Sequence, residues 1–430
     1  MSSEWPLQTL ESLAKEVTVG YVGPMADEYV EHGVPFLRSL NIQPFGISTT
    51  DLKYVTTEFH QKIRKSALKP GDVAIVRTGK PGTCAVIPEW LVDANCSDLV
   101  IARCGPSIRP RFLCYWVNSV ASHHISSHLV GAVQQHFNVG AAKAMKVAVP
   151  SLREQDCIIG VLGSLDDRIT LLRETNTTLE AIAQALFKSW FVDFDPVRAK
   201  QEGRAPEGMD EATAALFPDG FEESELGLVP KGWRLGELRN IAQTAKRQLQ
   251  ASELHADLLY VGLEHIPRKS FSLTDWGRAE GLESAKSAFA EDDILFGKLR
   301  PYFHKVVIAP FSGVCSTDIL VCQPTSPAYW GVAAMHLFSV PLIDYADRLS
   351  NGAKMPRVTW KDLAAYPLCV PSAEIARRFN EALEPMIARM KANIHQARTL
   401  AALRDTLLPR LISGQLRLPE EQAQLGVALV

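Results

Sequence analysis

An internal repeat constrains the architecture of this chain more than any other feature of its sequence. At an offset of 221 residues, Gly131-Ala132 aligns with Gly352-Ala353, and Val149-Pro150-Ser151 aligns with Val370-Pro371-Ser372. The alignment continues without a gap to about residue 192 and becomes looser upstream. Because 430 residues exceed one ordinary domain, the repeat predicts two similar, pseudo-two-fold halves that recognise two related things. A duplication that serves stability alone is the alternative.

Each half ends in a stretch with the apolar periodicity of a long helix. In the first half the apolar residues are spaced alternately by three and four positions, which is typical of a coiled-coil seam. Ser151 and Glu154 form a capping-box pattern, so residues 151–195 are expected to form a central helix of about 40 residues. The predicted seam consists of Leu162, Leu165, Ile169, Leu172, Leu179 and Leu186, and in the second half of Leu383, Met386, Met390, Leu400 and Leu407.

The second long helix, predicted over residues 372–414, has the weaker seam. Pro385 lies inside it and is expected to kink the helix or to delay its start. Asn176 and Asn393 each place an amide in a seam, and since Asn393 aligns with Leu172 in the repeat, the two amides are expected at different heights. Two narrow apolar stripes pack most simply against each other, and a two-fold relation would make them antiparallel. The alternative is that each helix packs only on its own globular region.

These patterns predict an α+β fold, with two repeated α/β domains separated by two long antiparallel helices that form a coiled coil. Residues 1–150 and 233–371 carry short β-like runs between Pro, Gly and Asn turns, and they form the two domains. Residues 196–232 are rich in Gly, Pro and Glu, which indicates a surface linker. Residues 415–430 are expected to form a tail.

The sequence lacks the common catalytic motifs of DNA-modifying enzymes, so no enzymatic activity is expected in the chain itself. The sequence has no Pro-Pro pair, which excludes the Pro-Pro-aromatic loop of amino-methyltransferases. Gly79-Lys80-Pro81 and Gly297-Lys298-Leu299 are not Walker loops. His123, His124 and His128 have no Cys or carboxylate nearby in sequence, so structural histidines are favoured over a metal site.

Composition restricts the compartment and the kind of partner. No apolar run approaches the ~20 residues of a membrane helix, and no secretory signal is visible at the start. The eight cysteines lack CxxC spacing, which favours a reduced, cytoplasmic setting without membrane attachment. Because the net charge is only −3, any DNA-binding surface must be a local basic patch.

Four loops, two in each half, carry the residue types that read DNA. Arg, Lys, Asn and Gln present fixed donor patterns to base edges, and basic side chains bind phosphates. The first-half candidates are Arg77, Thr78 and Lys80 in one loop, and Gln134, Gln135, His136 and Asn138 in the other. The second-half candidates are Lys298, Arg300, Tyr302, His304 and Lys305, and in the other loop Asn351, Lys354 and Arg357. A solvated charge is the simpler explanation for any single residue, whereas two equivalent pairs of loops favour binding.

Several strings resemble a known family, and they include Lys200-Gln201-Glu202-Gly203-Arg204 and Leu216-Phe217-Pro218 in the segment between the halves. Leu186-Phe187-Lys188-Ser189-Trp190-Phe191-Val192-Asp193-Phe194-Asp195-Pro196-Val197, Pro230-Lys231-Gly232-Trp233 and Leu408-Pro409-Arg410-Leu411-Ile412-Ser413-Gly414 are similar to segments of the specificity (S) subunits of type I restriction–modification enzymes. The resemblance implies two target-recognition domains, each reading half of a split site in double-stranded DNA. It also implies that the coiled coil sets the gap between the half-sites.

The same resemblance implies that catalysis belongs to partner subunits. Two modification subunits would bind S-adenosylmethionine and methylate adenine at N6, and a restriction subunit would use ATP and Mg²⁺. No cofactor is then expected in this chain. The alternatives are a stand-alone DNA methyltransferase–nuclease fragment, which the missing motifs argue against, and a coiled-coil scaffold without DNA contact.

Overall fold

Two helices of 40 residues each run through the structure. The computed structural model describes residues 5–121, 125, 129–130, 136–350, 352 and 355–418. The central helix spans Leu152–Phe191 and the distal helix spans Ala373–Ile412. The chain divides into unit 1, which comprises Met1–Ile169 and Thr399–Val430, and unit 2, which comprises Thr170–Arg398. Each long helix therefore contributes one segment to each unit.

The start of each long helix is set by a side-chain cap. The Ser151 N–H donates to the Glu154 carboxylate at 3.0 Å, and the Glu154 N–H donates to Ser151 Oγ at 3.3 Å, which completes the predicted capping box. The Ile375 N–H donates to Ser372 Oγ at 3.3 Å. The distal helix begins at Ala373 and continues past Pro385, so the expected late start is wrong, whereas a kink at Pro385 stays a prediction. Pro385 is exposed, and water can therefore solvate the carbonyl that it leaves unpaired.

Unit 1 contains two main sheets with a set of short helices. Its strands are β1 (Leu7–Thr9), β2 (Ala14–Val19), β3 (Tyr29–Val30), β4 (Val34–Leu37), β5 (Ile42–Gln43), β6 (Gly46–Ile47), β7 (Lys53–Val55), β8 (Ala67–Leu68), β9 (Val73–Val76), β10 (Cys84–Val86), β11 (Ala94–Cys96), β12 (Leu99–Cys104), β13 (Leu129–Val130), β14 (His136–Phe137) and β15 (Lys146–Ala148). Its short helices are Leu10–Leu13, Thr57–Lys62, Pro110–Ser119 and Val139–Ala144. One sheet is antiparallel in the order β2-β12-β9-β10, and the other has the order β3-β7-β4-β11-β8 with β4 and β11 parallel.

Unit 2 repeats this topology. Its strands are β16 (Phe221–Ser224), β17 (Gly227–Pro230), β18 (Arg234–Glu237), β19 (Ala242–Thr244), β20 (Gln248–Leu249), β21 (Leu259–Val261), β22 (Gly277–Arg278), β23 (Lys286–Phe289), β24 (Ile294–Gly297), β25 (Val306–Ile308), β26 (Gly313–Cys315), β27 (Ile319–Pro324) and β28 (Pro367–Val370). Its short helices are Asp195–Gln201, Glu211–Leu216, Trp330–Phe338, Val340–Leu349 and Trp360–Ala364. The order β19-β27-β24-β25 matches the first sheet of unit 1, and β21 and β26 again form a parallel pair in a five-stranded sheet.

The repeat also has matching cores. The strands β9 and β24 lie at the 221-residue offset and are buried at every position, as strands covered on both faces should be. Cys96 and Cys315 occupy equivalent places in the parallel strand pairs and are fully buried. Burial raises the pKa of both thiols, so they act as small core residues rather than as nucleophiles.

Residues 196–232 are more ordered than their composition predicts. They contain two short helices and the β16–β17 hairpin. Val197 and Phe217 are buried, and the Phe217 ring meets the Trp190 ring edge-on at 5.3 Å between centroids. The Gly, Pro and Glu content predicts a surface linker, whereas the apolar residues between them pack into the core of unit 2.

The two long helices pair in an antiparallel manner within each unit. In unit 1, Leu162 and Leu408 share one core, and Arg404 Nη1 donates to Asp166 Oδ1 at 2.8 Å. In unit 2, Asn393 Nδ2 donates to Asn176 Oδ1 at 2.8 Å, and the Phe187 and Phe379 rings are 6.3 Å apart between centroids. Residue numbers thus rise along one helix as they fall along its partner.

The expectation that the two seam amides lie at different heights is wrong. Asn176 and Asn393 form one buried polar layer, in which Asn176 Nδ2 also donates to the Met390 carbonyl at 3.1 Å. The repeat offset identifies equivalent positions, whereas antiparallel pairing decides which residues meet. Asn393 is equivalent to Leu172 but lies opposite Asn176 for this reason.

The predicted seam residues differ in burial. Leu162, Ile169, Leu172, Leu383 and Met390 are buried, whereas Leu165, Leu179, Leu186, Met386, Leu400 and Leu407 are half-buried. Phe187, Ile387 and Leu408 are buried more deeply than the residues that precede them. An α-helix has 3.6 residues per turn, whereas a heptad repeat assumes 3.5. Over several turns the buried face therefore shifts from the predicted seam position to the next residue in sequence.

Candidate nucleic-acid interface

The structure brings the two predicted loops of unit 1 together. The Phe137 N–H donates to the Arg77 carbonyl at 3.1 Å, and Arg77 Nε donates to the Phe137 carbonyl at 3.2 Å. Arg77 Nη1 also donates to Asp98 Oδ1 at 2.8 Å, and Thr78 Oγ1 donates to Asp98 Oδ2 at 2.7 Å. Arg77 and Thr78 therefore hold the loops in place, while Lys80 is exposed in the same loop.

Unit 2 joins its two predicted loops with the same backbone bond. The Val358 N–H donates to the Lys298 carbonyl at 3.2 Å, and these residues lie 221 positions after Phe137 and Arg77. The Arg300 N–H donates to the Pro356 carbonyl at 2.8 Å and extends the contact. The repeat thus preserves a loop junction as well as the sheets.

An aspartate anchors the junction in each unit. Asp98 binds Arg77 in unit 1, and in unit 2 Arg357 Nη2 donates to Asp318 Oδ1 at 2.7 Å. Burial lowers the pKa of Lys298, and the Asp318 carboxylate opposes that shift. The Arg357 side chain remains about half exposed, so part of its guanidinium is accessible to a further acceptor.

Beside the junction of unit 2 lies a basic–aromatic cluster, defined here as Arg268, Arg300, Tyr302 and Phe303. The Arg268 guanidinium lies 3.8 Å from the Phe303 ring centroid, and that of Arg300 lies 5.8 Å from it. The Tyr302 and Phe303 rings are 4.7 Å apart between centroids, and Tyr302 is 48% exposed. Stacking on the Phe303 face orients the Arg268 guanidinium, a group whose N–H donors suit phosphate oxygens and base acceptors.

Sequence reasoning missed Arg268 and Lys269. Both are exposed, and the Lys269 N–H donates to the His304 carbonyl at 2.9 Å, which joins their loop to the cluster. The run Pro267-Arg268-Lys269-Ser270 has the composition of a basic turn and was the available signal. This run lies outside the loop pairs predicted from the repeat, so only the tertiary contact with His304 shows that it is close to them.

Several of the residues predicted to bind DNA have hydrogen-bond partners within the protein. Asn138 caps the Val139–Ala144 helix by accepting from the Ala141 N–H at 2.8 Å. His304 is 4% exposed, its Nε2 lies 2.7 Å from the Phe338 carbonyl, and burial lowers its pKa. Lys305 Nζ donates to the Leu263 carbonyl. These side chains shape the loops, and the exposed candidates at the two junctions are Lys80, Arg268, Lys269, Arg300, Tyr302 and Arg357.

Four further predicted residues, Gln134, Gln135, Asn351 and Lys354, lie outside the described residues, as do His123, His124, His128 and the side chain of His136. Across the described ranges, no group of three or more His, Cys, Asp and Glu side chains is arranged to hold a metal ion. In the same part of the chain, no helix combines the length and the apolar character needed to cross a membrane.

The fold and the loop junctions define a protein of two repeated α+β units with paired basic loops. The chain is 26% identical over 326 residues to the type I restriction enzyme HindI specificity subunit of Haemophilus influenzae, covering 64% of this chain and 70% of that protein. It is 24% identical over 292 residues to the MjaIX specificity subunit of Methanocaldococcus jannaschii, covering 65% of this chain and 62% of that protein. No family model matches the chain.

A solved structure shows the same fold. The crystal structure of a type I restriction–modification S subunit from M. genitalium covers 95% of this chain and 96% of its own, with a TM-score of 0.54 and 14% identity. The chain is thus similar in sequence and in fold to the specificity subunits of type I restriction enzymes, and the resemblance predicted from its sequence is confirmed.

Proposed function

We propose that this chain recognises a bipartite DNA sequence, one half with each unit, and directs adenine-N6 methylation and restriction by partner subunits. The single observation that carries the proposal is the loop junction, which occurs at equivalent positions in both units. Its sequence relatives are named as specificity subunits of type I restriction enzymes, which supports the same function.

The chemistry of the junctions suits a reader of two different half-sites. The scaffold under the loops is repeated, whereas the exposed side chains differ between the units. Unit 1 presents Lys80 from its first loop, and unit 2 presents Arg300 and Tyr302 from the equivalent loop. Base edges are distinguished by the donor pattern that faces them, so different side chains on one scaffold select different sequences.

The weak net charge makes partners important for affinity. With a net charge of −3, the chain depends on its local basic residues for phosphate contacts. We infer that it is non-catalytic and works in the cytoplasm with two modification subunits and a restriction subunit. S-adenosylmethionine, ATP and Mg²⁺ belong to those partners in this proposal.

Genome-wide mapping of N6-methyladenine tests the proposal. A host that carries the modification subunits is compared with and without this chain. The expected result is a methylated split sequence, two short specified halves around an unspecified gap, only when the chain is present. Unchanged methylation would contradict the proposal. Tight binding of S-adenosylmethionine by the purified chain alone, measured by calorimetry, would place catalysis in this chain and contradict its non-catalytic part.

A further inference from the structure

A buried carboxylate of the central helix holds the loop that carries Arg268 and Lys269. Glu180 is 5% exposed, and it accepts hydrogen bonds from the Phe271 N–H at 2.9 Å and from Ser270 Oγ at 3.0 Å. Both donors follow the two basic residues directly in sequence. The contact lies entirely within unit 2.

The attachment lies beside a strained part of the loop backbone. Lys269 has φ +55°, in the left-handed region that residues other than glycine seldom adopt. On one side the Lys269 N–H donates to the His304 carbonyl, and on the other the two bonds to Glu180 hold Ser270 and Phe271. The Phe271 ring lies 3.9 Å from the Phe338 ring between centroids and completes the anchor.

Helix packing alone does not account for a carboxylate at this position. The hydrogen-bonding neighbours of Glu180 are neutral groups, namely Phe271 N–H, Ser270 Oγ and the Gln184 amide at 3.3 Å. Burial raises its pKa to about 7, against the lowering effect of the two bonds from the loop. A leucine would pack in the core at lower cost, because a buried carboxylate without a cation is unfavourable.

The attachment is specific to one unit. The position that the repeat makes equivalent to Glu180 is Ala401 in the distal helix, which has no acceptor side chain. Arg268, which stacks on Phe303, stands two residues from the nearer donor. Displacement of the 267–271 loop would therefore disturb the basic–aromatic cluster of unit 2 without a direct counterpart in unit 1.

We propose that Glu180 is a positioning residue, which fixes the 267–271 loop so that Arg268 and Lys269 contact the DNA half-site read by unit 2. The inference rests on the proposed function. It assigns Glu180 no contact with DNA, and its effect passes through the hydrogen bonds to Ser270 and Phe271.

The test uses the full chain assembled with its modification subunits. The recognition sequence is first obtained from the genome-wide map of N6-methyladenine. Methylation rates are then measured on duplexes that contain this sequence and on duplexes with single base-pair changes in either half. The variants are Glu180→Ala, Glu180→Gln, Ser270→Ala and the control Glu174→Ala, which removes an exposed carboxylate from the same helix. Hydrogen exchange of the Phe271 amide reports directly on the attachment.

The expected result is a loss confined to one half-site. Glu180→Ala is expected to reduce discrimination there by about tenfold, since a wrong base pair usually changes binding by about 5- to 150-fold. Glu180→Gln should retain the discrimination because its amide oxygen still accepts from the Phe271 N–H. Ser270→Ala should give a smaller loss at the same half-site, and Glu174→Ala should leave both halves unchanged.

Three results would overturn the inference: unchanged discrimination with faster Phe271 exchange in Glu180→Ala, an equal loss at both half-sites, or the same loss in Glu180→Gln as in Glu180→Ala. If Glu180→Ala does not fold, Glu180→Gln and Ser270→Ala decide, and a Ser270→Ala enzyme with wild-type discrimination overturns it. A wild-type chain that directs no methylation would instead refute the proposed function and the inference with it.

Discussion

The Glu180 carboxyl makes the stability of unit 2 depend on pH in a direction opposite to that of most acidic groups. An ordinary glutamate has a pKa of 4.5, and burial raises the pKa of Glu180 to about 7. Between these values the folded protein holds a proton that the unfolded chain releases. Folding stability therefore falls as the pH rises from 4.5 to 7, and above pH 7 the whole penalty is present.

The magnitude follows from the size of that rise. Each tenfold change in proton affinity corresponds to about 1.4 kcal/mol, so a rise from 4.5 to about 7 corresponds to roughly 3 kcal/mol. Glu180→Gln keeps the shape and the acceptor but cannot ionise. Its free energy of unfolding, relative to wild type, is expected to increase by roughly 3 kcal/mol between pH 4.5 and pH 8.

Urea denaturation at a series of pH values measures this difference. The buried histidines of unit 2, His304 and His336, have pKa values lowered by burial, but they are present in both proteins and cancel in the comparison. Glu174→Gln, at an exposed position, is the matched control and should show no such trend. A Glu180→Gln difference that stays constant from pH 5 to pH 8 would refute the assignment of a buried carboxylate with a raised pKa.

Three further predictions concern individual side chains. Asn393→Leu leaves the side-chain Oδ1 of Asn176 without its donor, so the free energy of unfolding, measured by urea denaturation, should fall by about 1–3 kcal/mol. The variant with leucine at both positions should recover most of that loss. A double-mutant cycle that shows no coupling between the two positions would contradict the buried polar layer. Lys80→Ala and Arg300→Ala should each weaken recognition of one half-site only, measured as methylation of singly substituted duplexes, and an effect of either variant on both halves would contradict the division of labour. Asn138→Ala should destabilise the Val139–Ala144 helix by about 1 kcal/mol in thermal unfolding, and Asn138→Ser should restore it; equal stability of both variants would contradict the cap.

Much of the scaffold could be predicted from one repeat and one periodicity. Equivalent residues at an offset of 221 predicted a common topology for the two units. The strands β9 and β24, for example, start and end at equivalent positions and are buried throughout. The loop pairs were also predictable. The junction joins Arg77 to Phe137 in unit 1 and Lys298 to Val358 in unit 2, and the repeat aligns these two pairs. Local pattern succeeds here because strands, caps and turns depend mainly on neighbouring residues.

The protein partners of the candidate DNA-binding residues could not be predicted from the sequence. Arg77 and Asn138 have residue types that read bases, but they bind protein groups within unit 1. His304 belongs to a basic run and is nevertheless in the core. Arg268 lies outside the repeated loops and stacks on Phe303 across 35 residues of sequence. Residue type shows what a side chain can donate, but not which acceptor it meets.

By itself, the sequence determined that this protein has two similar α+β units and two long helices, because period and repeat are properties of the chain. Tertiary structure decided that Asn176 meets Asn393, that residues 196–232 pack into unit 2, and that Glu180 holds the loop of Arg268. Those outcomes depend on antiparallel pairing and on long-range burial, in which side chains distant in sequence compete for the same hydrogen bonds and the same apolar space.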